Sequence, residues 1–274
     1  MAHFSESEFY SAFKTIRNRF RRYKPAHLVS ASLEYLRHPT KDPMEDLQKH
    51  PWLVLLLVKW VLLDEEFSRA GKVDLPRGEF QRILQMMLDL TTKNRMPSEY
   101  PHYRLFFRNL AYQQFTYQTE FNLAAFARQS ILFCNLPENH TFKRQFEILT
   151  GFSIDQFVEL AFSVLIRFMV KEEHFVPRNW FSSIEHHFTK SIVEKFFQNI
   201  SLDLPLLRKY LLGMETRKAG KANEYYEETP FIRYPLLQSQ RGYESWHPTV
   251  LYRGLEYFIY DTLRAAAPSA FMSR

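Results

Sequence analysis

Two residue types on which many folds depend are scarce in this sequence. Cys134 is the single cysteine among 274 residues, so the chain has no disulfide framework, and we expect a reducing compartment, the cytoplasm. Seven glycines are few for an α/β enzyme, because phosphate-binding loops and tight strand–helix turns need glycine. Cys134 lies on the apolar side of a helical pattern, without a His or Asn in a catalytic arrangement beside it, which predicts a buried structural thiol.

The common catalytic motifs are also missing. The sequence contains no Gly-x4-Gly-Lys-Ser/Thr, no Gly-x-Gly-x-x-Gly, no Gly-x-Ser-x-Gly and no His-Glu-x-x-His. No Asp or Glu is followed two positions later by Lys, which excludes from these residues the metal-binding strand of a restriction-endonuclease-like nuclease. We therefore predict that this chain carries no catalytic residues, no metal site and no cofactor.

Long apolar runs and targeting signals are absent as well. The first residues, MAHFSESEF, have neither a basic region nor an apolar region of the kind that signal peptides need. The strongest apolar run, residues 52–63, is interrupted by Lys59 and is too short to span a bilayer. We interpret it as a buried helix of a cytoplasmic protein that has no membrane partner.

What the sequence does contain indicates helices packed through large side chains. Hydrophobic residues make up 46% and aromatic residues 16%, with 26 Phe and 15 Tyr. Apolar residues recur at helical spacing along most of the chain, and Ser153 with Gln156 forms a capping box for an apolar helix over residues 154–169, the predicted centre of the core. The predicted fold is predominantly all-α, a multi-helix orthogonal bundle with one short β-hairpin near the C-terminus.

The domain organisation is predicted from changes in composition. Residues 1–214 form a helical body, and residues 215–229 are charged, lack an apolar period and are assigned as a linker. Residues 230–274 form a hairpin and a helix that lead towards a domain absent from this chain. Residues 231–237 are broken by Pro235, so they are at most an edge strand, and His247 with Pro248 opens the final helix.

A cluster of basic residues is the main binding candidate. The formal net charge is +6, and residues 14–24 are densely basic, which fits either a solvated helix face or a contact with nucleic acid or an acidic protein. A second candidate surface, residues 103–121, interleaves aromatic and basic side chains and resembles a stacking platform, although helix packing explains the same pattern. The candidate binding residues are Arg17, Arg19, Arg21, Arg22, Lys24, Arg104 and Arg108.

Two weaker patterns leave alternatives open. Arg241 and His247 have the Arg-x4-6-His spacing of HEPN-type ribonucleases, although Gly242 follows the arginine where a polar residue is usual. A group of histidines and acids would bind zinc or iron if a turn at Pro177 brought its members together, but we interpret them as surface or capping residues. This group comprises Glu172, Glu173, His174, Glu185, His186 and His187.

From Pro230 onward the sequence resembles a segment of bacterial stand-alone defence proteins. The similar stretches are PFIRYPLL (230–237), Gly242-Tyr243, Trp246-His247-Pro248, residues 251–255 and residues 260–263, with residues 112–115 and 121–133 upstream. In that family the segment follows a long helical N-terminal region and precedes a restriction-endonuclease-like domain of the PD-(D/E)xK kind. The resemblance covers about half of the chain and includes no catalytic residue.

The resemblance implies a function for the chain. It implies a non-catalytic recognition and regulatory domain of an anti-phage nuclease, which senses a phage protein or nucleic acid and controls the attached nuclease. The catalytic acids, the lysine and Mg²⁺ would then belong to a domain beyond Arg274. The alternatives are a self-contained HEPN-like ribonuclease and a general nucleic-acid-binding or protein-binding helical module, and in either case a homo-oligomer is compatible with the sequence.

Overall fold

The computed structural model describes residues 5–37, 49–67, 71, 73–93, 123–170, 174–183, 187–214, 220, 224–225 and 227–266. Within these ranges the chain forms ten α-helices and a small four-stranded sheet, which confirms the predominantly all-α class. The helices are α1 (Glu6–Phe20), α2 (Pro25–Arg37), α3 (Pro51–Leu63), α4 (Arg77–Lys93), α5 (Leu123–Cys134), α6 (Thr141–Thr150), α7 (Ile154–Leu165), α8 (Lys190–Ile200), α9 (Leu204–Met214) and α10 (Pro248–Ala266).

The chain divides into two compact units that each draw on two stretches of sequence. The first unit comprises Met1–Gln118 and Leu204–Thr229, and the second comprises Thr119–Asp203 and Pro230–Arg274. In sequence, the first stretch of the second unit lies between α4 and α9, and its second stretch follows the end of the first unit. The predicted linker, residues 215–229, falls within the first unit.

The first unit is built around α3, which has one of the most apolar sequences in the chain. All but one of its thirteen residues are buried, as expected for the apolar run over residues 52–63. Pro51 occupies the first turn, where its missing N–H has no intrahelical partner to lose. The amphipathic helix α1 packs Phe9, Phe13, Ile16 and Phe20 into the same core and starts at a capping box formed by Ser5 and Glu8.

The second unit is built around α7, the helix predicted to be the centre of the core. The predicted capping box of Ser153 and Gln156 is present at its start. Phenylalanines from α6, α7, α8 and α10 converge here, with Phe157 stacked on Phe258 at a centroid distance of 4.7 Å. The α-helix ends earlier than predicted, because residues Ile166–Val170 continue as a π-helical turn.

The sheet belongs to the second unit and is larger than the predicted hairpin. Its strands are β1 (Phe175–Pro177), β2 (Ser201–Leu202), β3 (Leu236–Gln238) and β4 (Gly242–Ser245), in the order β1-β4-β3-β2. The pair β3 and β4 is the predicted antiparallel hairpin. The prediction of an edge strand was wrong, since β3 starts after Pro235 and pairs on both sides, with β4 and in parallel with β2. Pro230–Ile232 forms a 3₁₀ turn instead.

The length and composition of the helices determine whether one of them could cross a bilayer. Among the described residues, no single helix is both long and apolar enough to cross a membrane. Thr141–Thr150 and Ile154–Phe168 reach that length and composition only when they are taken together, and they are bent by 61° with respect to each other.

Candidate functional site

The basic residues at the end of α1 lie mainly in ion pairs within the first unit. Arg19 binds the carboxylate of Glu79 through two nitrogens, with a distance of 3.1 Å between Nη2 and Oε2. The hydrogen bond from Arg19 lowers the pKa of Glu79. Lys24 Nζ lies 2.7 Å from Asp74 Oδ1 and likewise lowers the pKa of that carboxyl group. Arg19 therefore connects α1 to α4. Lys24, directly before α2, connects that part of the chain to the residues before α4.

Arg21 makes the most buried of these pairs. Its Nε lies 2.9 Å and 3.0 Å from the two carboxylate oxygens of Asp64, and its Nη1 lies 2.9 Å from Glu66. The side chain of Asp64 is 5% exposed, so this pair holds the end of α1 against the end of α3.

The remaining candidate binding residues have different positions. The guanidinium of Arg17 lies over the ring of Phe13, 5.7 Å from its centroid, and Arg22 is exposed. Arg104 and Arg108 lie outside the described residues. Arg19, Arg21 and Lys24 thus form ion pairs within the first unit, and a binding interface at the candidate basic residues stays a prediction.

The structure does not bring Arg241 and His247 together on one surface. Arg241 is exposed in the turn before β4, and its carbonyl oxygen accepts a hydrogen bond from the backbone of Arg178. The four extended residues of β4 lie between the two, a span of roughly 13 Å at the usual rise of a strand. His247 is 7% exposed, and its Nδ1 accepts a hydrogen bond from the backbone N–H of Thr249 at 3.2 Å. Its position is that of a residue that caps α10.

The predicted group of histidines and acids lies largely outside the described residues, which include His174 and His187 but not Glu172, Glu173, Glu185 or His186. In the part of the chain that the structure describes, no three His, Cys, Asp or Glu side chains are grouped so that they could hold a metal ion.

Cys134 ends α5 and packs, half-buried, against the core of the second unit. Burial raises the pKa of its thiol to about 11, with a further contribution from a hydrogen bond with Asp155. The thiol is therefore neutral at physiological pH, as expected for a structural cysteine.

An open cleft of about 250 Å³ lies between α2 and α4 in the first unit. It is smaller than most ligand sites. Its walls are mainly apolar, and its lining residues are Ala31, Glu34, Tyr35, Leu75, Pro76, Phe80 and Gln81.

The least expected polar feature of the first unit surrounds Lys59, in the middle of α3. Lys59 is 5% exposed, and its Nζ lies 3.4 Å from Oε1 of Glu224 and 3.6 Å from Oε2 of Glu227. Removing a charge from water is unfavourable by several kcal/mol unless a partner compensates. Two carboxylates from the predicted linker provide that compensation.

Glu224 accepts hydrogen bonds from two further groups of the first unit. Its Oε2 lies 2.8 Å from the indole Nε1 of Trp60 and 2.8 Å from the backbone nitrogen of Gly220. Glu224 is 7% exposed. On folding, the hydrogen bonds of its carboxylate with water are therefore replaced by contacts with an ammonium group, an indole N–H and a backbone N–H. Such complete pairing is what allows a carboxylate to be buried.

Tyr225 inserts its side chain beside this carboxylate and is 2% exposed. Its hydroxyl donates to the carbonyl oxygen of Met87 on α4 at 3.2 Å. Its ring makes edge contacts with Phe9 at 5.7 Å and with Trp60 at 5.8 Å. The tyrosine therefore has both an apolar and a polar partner, the arrangement that buried tyrosines require.

Gly220 fixes where this segment enters the site. Its φ is +93°, and a Cβ at this position would lie 2.2 Å from the ring of Phe13. Only glycine has both the conformation and the size for this approach.

We call Gly220, Glu224, Tyr225 and Glu227 the docked segment. The docking site is the surface of the first unit that receives them, formed by Phe9, Phe13, Lys59, Trp60 and Met87. The cation, the hydrogen-bonding groups and the aromatic rings of this site fit a carboxylate side chain that is followed directly in sequence by a tyrosine. This site was not predicted from the sequence, because Lys59 was interpreted as an interruption of the apolar run and residues 215–229 as a linker. A single lysine in an otherwise apolar helix was the available signal, since such a lysine needs a carboxylate from elsewhere in the chain.

Comparisons with protein-family models, with curated proteins and with solved structures found no match.

Proposed function

We propose that this chain is a non-catalytic recognition and regulatory module in which the docked segment is the element that changes state. One observation carries the proposal. Glu224 and Tyr225 come from a segment without an apolar period, yet directional polar contacts hold both in the core of the first unit. A few residues later, at Pro230, the chain enters the second unit. Release of the docked segment would therefore change the tether between the two units.

Buried ion pairs favour two discrete states over a continuum. If Glu224 moved away by a few ångströms, Lys59 would stay buried after losing its ion pair with this carboxylate, which is strongly unfavourable. The segment is consequently either docked with all its contacts or released into water, where both charges are hydrated. A partner that binds one of these states better shifts the equilibrium towards that state.

The resemblance from Pro230 onward supports the biological setting of this module. In the related defence proteins a helical region of this kind precedes a nuclease domain, so the output we propose is control of an attached Mg²⁺-dependent nuclease. The input we propose is a component of an infecting phage. The docked state would be the resting state, and binding of that component would release the segment.

Hydrogen exchange followed by mass spectrometry tests whether the docked segment changes state. We expect Glu224→Gln to increase exchange in residues 220–229 and in α3, because the amide cannot neutralise Lys59. Lys143→Met is the matched control, since Lys143 in the second unit pairs with Glu138 and Asp155, whose side chains are 90% and 46% exposed. Unchanged exchange in Glu224→Gln would contradict the proposed switch.

Incubation with RNA and DNA in the presence of Mg²⁺ or Mn²⁺ tests whether this chain is non-catalytic. We expect no cleavage by the purified chain. RNA cleavage that is lost in Arg241→Ala would instead support the ribonuclease alternative. Arg241 is exposed in a turn, so this variant removes the candidate catalytic group and leaves the packing of the second unit intact.

A further inference from the structure

The docking site also indicates what kind of partner would release the docked segment. We infer that it binds, in place of the chain's own residues, an acidic partner peptide in which a glutamate is followed directly by an aromatic residue. This inference rests on the proposed function, because the site is accessible to a partner only when the docked segment leaves it.

The first argument is the set of groups that the site offers. Lys59 and Trp60 present a cation and an indole N–H to the same carboxylate, 3.4 Å and 2.8 Å from its two oxygens. An ammonium group and a neutral donor converging on one carboxylate recognise an acidic side chain more strongly than an amide, since hydrogen bonds to charged groups are the stronger ones.

The second argument is the pocket beside these donors. The rings of Phe9 and Trp60 contact Tyr225 edge to face, and the carbonyl oxygen of Met87 accepts its hydroxyl. A ring without a hydroxyl would fill the same space but would lose the hydrogen bond that the tyrosine hydroxyl donates to that carbonyl. We therefore expect tyrosine to be preferred to phenylalanine, and both to be preferred to an aliphatic residue.

The same groups argue against a nucleic acid at this site. A phosphodiester has no hydrogen-bond donor for the carbonyl of Met87, whereas the hydroxyl of a tyrosine is such a donor. The docked segment also brings a second acid, Glu227, to 3.6 Å from Lys59, which shows that the edge of the site tolerates a further carboxylate. An acidic peptide fits these features together.

Fluorescence anisotropy with a labelled peptide tests the inference directly. The probe is GKANEYYEE, the sequence of residues 220–228, and the protein is the whole chain in its wild-type, Glu224→Gln and Lys59→Met forms. We expect the Glu224→Gln chain to bind the probe at least about tenfold more tightly than the wild type, because its own segment competes less well. We expect the Lys59→Met chain to bind it at least about tenfold more weakly than the Glu224→Gln chain does.

Two altered peptides define the chemistry that is recognised. Glutamine in place of the first glutamate should weaken binding to the Glu224→Gln chain by at least about tenfold, and leucine in place of the tyrosine that follows should also weaken it. A single-stranded oligonucleotide should not displace the probe. Equal binding of the glutamine peptide, displacement by the oligonucleotide, or no binding to any form of the chain would overturn the inference.

The result also separates this inference from the proposed function. If the Glu224→Gln chain shows increased exchange in residues 220–229 but does not bind the probe, the segment changes state and the partner chemistry is wrong. If exchange is unchanged, the switch itself is wrong, whatever the peptide does.

Discussion

The two units close their cores in different ways. In the second unit the core around α7 consists largely of phenylalanines that pack on one another, with Phe157 in ring contact with Phe146, Phe152, Phe196 and Phe258. In the first unit the core is closed by a charged and aromatic segment that is distant in sequence, through Lys59, Glu224 and Tyr225. Aromatic rings can pack on one another in several relative orientations. In a buried ion pair, by contrast, the two charged groups must contact each other.

The two kinds of core contribute differently to the stability of the fold and to the specificity of its contacts. Burial of large rings contributes strongly to stability. A buried ion pair adds little net free energy compared with apolar residues of the same size, yet removal of one partner is strongly unfavourable. The core of the second unit around α7 therefore depends mainly on ring packing. The core of the first unit is closed by one particular segment through polar contacts of defined geometry.

The largest expected loss of stability follows truncation in the aromatic core. Phe157→Ala removes a ring with no exposed surface and all its ring contacts, so we expect a decrease of about 3–5 kcal/mol in the free energy of unfolding. Chemical denaturation followed by circular dichroism measures this change. Ile148→Ala is the control, because Ile148 in the same unit is 75% exposed and should change stability by less than about 0.5 kcal/mol.

The next largest effect is expected at the ion pair. Glu224→Gln should decrease the free energy of unfolding by about 3 kcal/mol, near the lower end for a broken buried pair, because the amide oxygen still accepts one hydrogen bond. Lys59→Met alone should be similarly unfavourable. The double variant should lose much less than the sum of the two, since neither charge is then left alone.

Additive losses in this cycle would contradict the comparison between the units. They would mean that Lys59 and Glu224 contribute independently and that the pair does not select its partner. The same denaturation experiments give the coupling energy of Lys59 and Glu224, and a parallel cycle with Lys143→Met, Glu138→Gln and the double variant gives its value for an ion pair of the second unit whose carboxylate is 90% exposed.

A smaller effect is expected from the hydroxyl of Tyr225. Tyr225→Phe keeps the ring contacts but leaves the buried carbonyl of Met87 without this donor, so we expect a loss of about 1–2 kcal/mol. Tyr257→Phe in the second unit is the matched control, because Tyr257 is 38% exposed and water can replace its hydrogen bonds. Equal effects of the two substitutions would show that the hydroxyl of Tyr225 does not position the docked segment.

Much of the fold could be predicted from local patterns. The apolar run around Trp60 predicted a buried helix, the spacing of apolar residues predicted α7, and Ser153 with Gln156 marked its first turn. These features depend on residues a few positions apart, so helical periodicity and capping chemistry determine them. The hairpin of β3 and β4 was also predicted, although its pairing with β1 and β2 was not, because those strands have two or three residues and leave no periodic signal.

The candidate site could not be predicted in the same way. Lys59 and Glu224 are 165 positions apart in the sequence, one more than the 164 positions between Trp60 and Glu224, and no local pattern links them. The composition of residues 215–229 is that of a linker, since charged residues are normally exposed. Burial of these residues depends on partners supplied by the tertiary structure. The ion pairs of Arg19 and Arg21 were not predicted for the same reason, because their acidic partners, Glu79 and Asp64, are distant in sequence.

The smallest effect concerns two capping boxes, that of α1 in the first unit and that of α7 in the second. Ser153→Ala should decrease the free energy of unfolding by about 1 kcal/mol, and Ser5→Ala by less, since Ser5 is exposed.

The two boxes also differ in their response to pH. Hydrogen bonds from Ser5 lower the pKa of Glu8 from its usual 4.5, so the contribution of that box is present above this value and is lost as the pH falls through the lowered pKa. Gln156 does not titrate, so the effect of Ser153→Ala should be the same at neutral pH and well below pH 4.5. Denaturation of both variants and the wild type at neutral pH and well below pH 4.5 measures this, and a pH-independent effect of Ser5→Ala would show that Glu8 takes no part in its box.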